Sequence, residues 1–271
     1  MNKTLSLIGG LLLGAGVMYA GNSYGEDLEK AKKIKVEEKT THLFLGVGLS
    51  TNFEDNNVGS RGSLLINFPL FEKKGVTNRF EANASYNLPV DTTLNVSAAY
   101  LTDVKKEVLL SEEPSKEVSY LALGPRLDFQ LQMRPGDNEI NYLGQGLSIS
   151  KGTFIGSKKK ERSLEKYLLS FGLSFGGLSG ADKSYQAGMC ISLKGLTEGK
   201  ITKKIGMGFL AEANAIVSLQ EAGRLSGFLA MTPYIKIPTL PTDFIIGPTV
   251  RLVSFGKKTG LEALLSFGGS I

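Results

Sequence analysis

The sequence predicts an all-β chain, an antiparallel up-and-down transmembrane β-barrel of about 12 strands (range roughly 10–14). Three observations carry this reading. Apolar side chains recur at every second position through most of the chain, as expected of strands with one apolar and one polar face. The clearest stretches run past ten residues, about twice the usual soluble strand and close to the roughly 9–11 that a tilted strand needs to cross a bilayer. They repeat at about 20 residues per strand plus turn. A soluble β-sandwich would also show one apolar face per strand; strand length favours the barrel.

The pattern is plainest from Ile205 to Ile235. Ile205, Met207, Phe209, Ala211, Ala213, Ala215 and Val217 share one face, and Gly206, Gly208, Leu210, Glu212, Asn214 and Ile216 the other. Gln220–Arg224 is a polar turn, after which Leu225, Gly227, Leu229, Met231, Pro233 and Ile235 resume the alternation. Composition agrees: 42% hydrophobic residues with a mean hydropathy of zero suit neither a helical membrane protein nor a disordered one. The 33 glycines fit many turns and close strands, and with no tryptophan the interfacial aromatics would be Tyr and Phe.

Met1-Asn2-Lys3 precedes an uncharged, Gly-interrupted apolar run from Thr4 to Gly25, which reads as an export signal over residues 1–25 rather than a retained anchor. Losing it removes one lysine from a net charge of +5, leaving a balance too weak and too evenly spread for a nucleic-acid partner. Residues 26–40 are mostly charged and form a solvated leader; the barrel is expected over 41–271. Cys190 is the single cysteine, which excludes an intrachain disulfide and a cysteine-based metal site. It lies in the polar-side phase of its strand and reads as a small packing residue.

In order, the apolar phases are Leu43–Leu49, Gly62–Phe68, Phe80–Leu88 and Leu94–Tyr100, with turns at Thr51–Val58, Glu72–Gly75 and Pro89–Thr92. Asp103–Glu117 is expected to be the longest connection, heavily charged, with Val108-Leu109-Leu110 an extra strand or helix. Leu121–Leu131 follows, then the turn Arg134–Asn138. The next strand, about 140–155, is the weakest, because its alternation slips near Gly144 and Gly146, and a bulge would account for that. After the charged loop Lys158–Arg162 come Tyr167–Phe175 and Tyr185–Leu193, the hairpin already described, Phe244–Leu252, and a last strand from Leu261 to Ile271. Pro125, Pro233 and Pro248 each remove a ladder donor and are expected at rims or bulges. Leu168-Leu-Ser-Phe-Gly172 recurs as Leu264-Leu-Ser-Phe-Gly268, and Gly124-Pro-Arg-Leu127 is loosely echoed by Gly247-Pro-Thr-Val-Arg-Leu252.

An export signal, long alternating strands and an alternating C-terminal strand together resemble bacterial outer-membrane β-barrel proteins of the porin-like kind, over about 41–271. The resemblance implies an outer-membrane location, contact with outer-membrane lipid, and recognition of the last strand, through Phe267 and Ile271, by the barrel-assembly machinery. It also places both termini on the periplasmic side.

If the apolar face meets lipid, the other face lines a lumen, and its charged members are Arg61, Arg79, Glu81, Arg126, Asp128, Lys194, Lys204, Glu212, Lys236, Arg251 and Glu262. Charge in lipid is costly, so these must face water or one another. Two functions fit: a narrow passive channel for small polar or anionic solutes, or a structural or adhesive surface barrel whose lumen is closed by charge pairing. Enzymatic chemistry is not expected. His42 is the single histidine and shares a face with Ser50 and Ser63, but no hydrolase spacing surrounds it, and it reads as a polar rim residue. Gly46-x-Gly48 and Gly206-x-Gly208 lie inside strands with no helix after them and read as packing glycines. No cofactor and no metal site is expected.

Overall fold

The computed structural model describes residues 32–34, 36–52, 55–73, 76–88, 92–111, 115–133, 140–157, 163–179, 185–202, 204–220, 225–238, 242–255 and 258–270. The expected export signal, residues 26–31 and 35 of the charged leader, and Ile271 lie outside them. The strands are β1 (Thr40–Asn52), β2 (Asp55–Lys73), β3 (Val76–Leu88), β4 (Thr92–Ser111), β5 (Ser115–Met133), β6 (Ile140–Ser157), β7 (Ser163–Ser179), β8 (Tyr185–Thr202), β9 (Ile205–Ser218), β10 (Leu225–Ile237), β11 (Asp243–Phe255) and β12 (Lys258–Ser270). Each pairs antiparallel with its neighbours in sequence, and β1 pairs with β12, from His42↔Ser270 to Thr51↔Leu261, so the meander closes into a twelve-stranded barrel. A sandwich of two stacked sheets is thereby excluded.

Period-2 alternation sorts the side chains by face. Leu43, Val47, Leu127, Leu147, Phe175, Met207, Ile235 and Leu265 stand exposed on the outer wall, while Arg79, Arg251, Ser148 and Ser174 are buried inside. This inverts a soluble protein and suits a wall bathed in acyl chains. Among the described residues no helix is long and apolar enough to cross a membrane.

β4 to β8 are 17–20 residues long, against 13 or 14 for β9 to β12. The excess projects at the end of the barrel that carries both chain termini. The charged segment expected as a long connection is part of this wall: β4 and β5 stay paired as far as Ser111↔Ser115, after a register shift between Asp103 and Lys105. The shift moves the outward phase from Thr102 to Lys105 and Glu107, which are largely exposed and paired with each other at 2.8 Å. One inserted residue thus reverses the alternation, and a wall standing in water needs no apolar face.

Two smaller expectations also fail. The β1–β2 turn is tighter than Thr51–Val58, because pairing continues to Asn52↔Asp55. β6 has no bulge, since its ladders to β5 and β7 hold one register throughout. Gly144 and Gly146 point inward in phase, where side chains do not fit: a Cβ would lie 2.1 Å from the Tyr142 hydroxyl and 1.9 Å from the Leu173 carbonyl oxygen, respectively. The alternation looked broken because Gln145, between them, faces outward.

The three prolines lie within the sheet, not at its rims. Each continues the ladder on one side and interrupts it on the other. Pro125 pairs with Leu147 of β6, and the β4–β5 ladder breaks between Ala99↔Arg126 and Thr102↔Leu123. Pro233 pairs with Phe209 of β9 and Pro248 with Leu265 of β12; between β10 and β11 the ladder skips from Met231↔Val250 to Ile235↔Ile246. That register sets Pro233 opposite Pro248, so neither strand offers a donor at the gap. At both breaks the glycine before the proline takes up the close approach: a Cβ on Gly124 would meet the Tyr100 carbonyl oxygen at 1.9 Å, and one on Gly247 the Pro233 carbonyl oxygen at 2.0 Å. The Gly-Pro echo in the sequence marks one structural device used twice.

The Pro233→Ala, Pro248→Ala double variant should close the β10–β11 gap. At about 1 kcal/mol per restored backbone hydrogen bond, the folded, fast-migrating band should persist to higher temperature than wild type in a heat-modifiability gel. An unchanged transition would show that the gap costs the barrel nothing.

Candidate functional site: the barrel lumen

The inward phases of all twelve strands meet in the lumen. At the end carrying the termini, the Glu198 carboxylate lies 2.6 Å from His42 Nε2, accepts from the Tyr234 hydroxyl at 2.7 Å, and lies 3.2 Å from Lys236 Nζ and 3.8 Å from Lys166 Nζ. Lys236 also reaches Asp243 at 3.5 Å and Glu165 at 3.8 Å, and Glu165 pairs with Lys200. Across the mouth, Arg79 donates from Nε and Nη2 to Asp103 at 2.7 and 3.0 Å, with its guanidinium 3.5 Å from the Tyr120 ring centre.

The chain just before β1 joins this layer. Glu38 accepts from Arg79 Nη2 at 2.6 Å and lies 3.1 Å from Lys106 Nζ, while Val36 packs on the apolar cluster within. Burial alone would raise the Glu38 carboxyl; the hydrogen bond and charge of Arg79, joined by Lys106, outweigh it and hold the group below its ordinary value.

Above the mouth lies an apolar layer. Phe44, Leu101, Tyr120, Phe154, Leu196 and Ile245 pack across the lumen with other buried residues of the same cluster. Phe44 meets Tyr234 edge-on at 5.3 Å and Tyr120 stacks with Phe154 at 6.2 Å. The next layer is charged again. Arg61 pairs with Glu212, which also accepts from Ser63 at 3.0 Å; Glu81 accepts from Ser170 at 2.5 Å and Asn67 at 3.3 Å; Arg126 forks onto Asp128 at 2.7–3.0 Å. Toward the far end Arg251 donates to Glu262 at 3.0 Å, and Phe228 lies between the guanidinium groups of Arg61 and Arg251, 5.6 and 4.7 Å from its centre. Two internal cavities of about 10 Å³ each lie among these layers, each large enough for about one water.

Of the residues selected from the sequence, Arg61, Arg79, Glu81, Arg126, Asp128, Lys194, Glu212, Lys236 and Arg251 are buried in the lumen, and Glu262 is half-buried there. Lys204 is not: β8 ends at Thr202, and Lys204 stands exposed in the turn to β9. His42 is fully buried and bonded to Glu198 rather than exposed at the rim. Cys190 is buried beside Tyr142, Leu178 and Ile216. The sequence reading passed over Asp103, Glu165, Lys166, Glu198 and Lys200. Glu198 and Lys200 continue the inward phase of Cys190, Ser192 and Lys194, so a longer strand would have found them. The residues selected from the sequence are seven basic and four acidic; without Lys204 and with the five passed over there are eight basic and seven acidic, nearly balanced. Among the described residues no cluster of His, Cys, Asp and Glu could hold a metal ion.

No protein-family model matches the chain, and no curated protein sequence does. Solved structures are similar in outline at very low identity. The transport unit of the autotransporter AIDA-I from Escherichia coli is 8% identical, with 98% of this chain and 97% of that one covered at a TM-score of 0.35. The translocator domain of the autotransporter NalP from Neisseria meningitidis is 7% identical, with 90% and 94% covered at 0.31. The CymD monoaromatic hydrocarbon channel is 10% identical, with 95% and 94% covered at 0.31.

Two outcomes are expected of this lumen. Glu212→Ala strands the Arg61 charge and should cost about 3–5 kcal/mol of stability, whereas the Arg61→Met, Glu212→Leu pair should recover most of it; equal losses in urea unfolding would mean that the two are not coupled. Glu38 has the opposite pH sense to a cation. A depressed carboxyl contributes stability above its ordinary value and loses it as pH falls through the folded value. The deficit of Glu38→Gln, about 1–2 kcal/mol at neutral pH, should shrink toward zero in acid, and a pH-independent deficit would remove the charged contact with Arg79.

Proposed function

We propose that this protein is a bacterial outer-membrane β-barrel that is closed at rest, its lumen serving as a charge-paired and apolar-sealed core. The observation that carries this is the layering: Phe44, Tyr120, Phe154 and their neighbours meet in the lumen, and on either side of them most charged groups, such as Arg61–Glu212 and Lys236–Glu198, are held in ion pairs and hydrogen bonds. The outer belt of Leu, Ile, Val and Phe supports a lipid setting, and the export signal expected from the sequence over residues 1–25 would fit the outer membrane. The projecting wall of β4–β8 and the Glu38 contact then face the periplasm, and the last strand is offered to the assembly machinery. On this reading the barrel has no catalytic centre: His42 is held by Glu198, and Ser63 by Glu212.

A narrow passive channel for small polar or anionic solutes is the second reading. One observation favours it: the side-chain amide oxygens of Asn83, Asn95, Gln130 and Asn214, residues lining one small cavity, have no protein partner, as suits a wetted polar path.

Planar bilayers separate the two. Purified wild-type barrel should show no stable conductance, and the Phe44→Ala, Tyr120→Ala, Phe154→Ala variant should conduct once its apolar layer is gone. Steady wild-type conductance would overturn the closed reading, and its reversal potential in a salt gradient would report the ion preference.

A further inference from the structure

The outer wall carries one residue that the lipid reading does not absorb. Gln145 faces outward on β6, between Leu143 and Leu147, with Asn141 and Lys151 as the next polar positions along that face. At about 3.3 Å per residue, Asn141 to Lys151 spans about 33 Å of tilted strand, close to the roughly 25 Å apolar band of such barrels. Gln145 lies about 13 Å along it, inside the band. Its cross-strand neighbours offer nothing polar: Leu127 and Phe175 are directly opposite, and Pro125, Phe129, Leu173 and Gly177 are diagonal. An amide held in hydrocarbon without a hydrogen-bond partner is costly.

The wall beside it is not smooth. A groove of about 610 Å³ runs over β3 to β6, with small residues such as Ala98 in it and Phe80, Tyr100, Leu127, Gln145 and Leu147 along it. Leu127, Leu143 and Leu147 are 61%, 66% and 68% exposed, among the most protruding apolar side chains of the wall. Leu127 and Leu147 therefore form a raised edge of the groove, and the amide lies on that same edge. The groove sits at the Gly124-Pro125 break, where the sheet is least regular.

We propose that this face is a homodimer interface and that its occupant is a second copy of this chain, related by a two-fold axis along the bilayer normal. The inference rests on the membrane-barrel reading. Two copies in one bilayer share orientation, so their Gln145 side chains lie at equal depth. A carboxamide is complementary to itself: each Nε2–H donates to the other's Oε1, and two hydrogen bonds form where lipid supplies none. The same axis brings the Leu127–Leu147 ridge of each copy to the other's groove, the isologous arrangement that two-fold symmetry requires. An acyl chain would fill the groove but leave both amide groups unpaired.

Full-length protein in a Cys190→Ala background, reconstituted into phosphatidylethanolamine–phosphatidylglycerol vesicles, tests this by short bis-maleimide crosslinking and single-molecule photobleaching. Insertion is scored first by heat-modifiable migration, so a failure of the membrane reading shows before any crosslink is read. Leu143→Cys, which keeps the Gln145 amide, should crosslink into a dimer at least tenfold more than Leu265→Cys, an exposed position on β12 across the barrel. Two-step bleaching of protein carrying Gln145 should become mainly one-step in Gln145→Leu and be largely kept in Gln145→Asn. Equal crosslinking at the two sites, or one-step bleaching with Gln145 intact, would overturn the proposal, whether the groove then holds lipid or another protein.

Discussion

In hydrocarbon a backbone N–H or C=O has no water to turn to, so a sheet there must have no edge. The β1–β12 pairing satisfies this. With it, every strand is flanked on both sides, and the first and last strands meet from His42↔Ser270 to Thr51↔Leu261. The rest of the molecule follows from that closure. A ring of alternating strands has two surfaces, and apolar residues on one and polar residues on the other leave a single arrangement, greasy outside and charged inside.

Closure then creates a second requirement. A dozen inward faces crowd a narrow cylinder, and burying Arg79 or Arg251 completely is tolerable only if each finds partners. The interior answers in layers. Most charged groups pair within the mouth and mid-barrel layers, Lys194 standing near Glu212 without a hydrogen bond to it, and a belt of Phe, Tyr and Leu separates the layers. Glycines fit where two walls or a ring come closest, as Gly144 does under Tyr142. The same economy appears at Gly124 and Gly247, where glycine lets the strand before it draw near while proline gives up its donor.

Period-2 alternation made twelve strands legible, because an apolar outer wall imposes a rule that nearly every outward residue obeys. It failed where that rule lapses. Past the apolar belt, Lys105 and Glu107 keep no apolar phase, so the facing ends of β4 and β5, 103–117, read as a loop, and the register shift at Asp103 reversed the parity as well. At Gln145 an exception to the rule passed for a bulge. The lumen charges were legible by parity but their pairing was not. Parity says that Arg61 and Glu212 both point inward; it does not say that residues 151 apart in sequence stand at one height, which depends on the stagger of the closed sheet. His42 looked like a rim residue for the same reason: its partner Glu198 lies in a strand end that the alternation had not reached.

Layering also decides how such an interior could open. Ion pairs such as Lys236–Glu198 and Lys236–Asp243 exchange partners at little cost, since several acids compete for the same ammonium. An apolar layer has no such alternatives. Moving Phe44 or Phe154 aside exposes apolar surface to whatever enters, at about 25 cal/mol for each Å² uncovered. On the closed-barrel reading the charged layers are the part that can rearrange, and the apolar layer is the part that would have to be displaced. A barrel built only to be a wall would need neither to be so finely divided, whereas an open pore could not keep the second. On the proposed reading the lumen rests shut, and the apolar layer next to the mouth is the barrier that opening would have to displace.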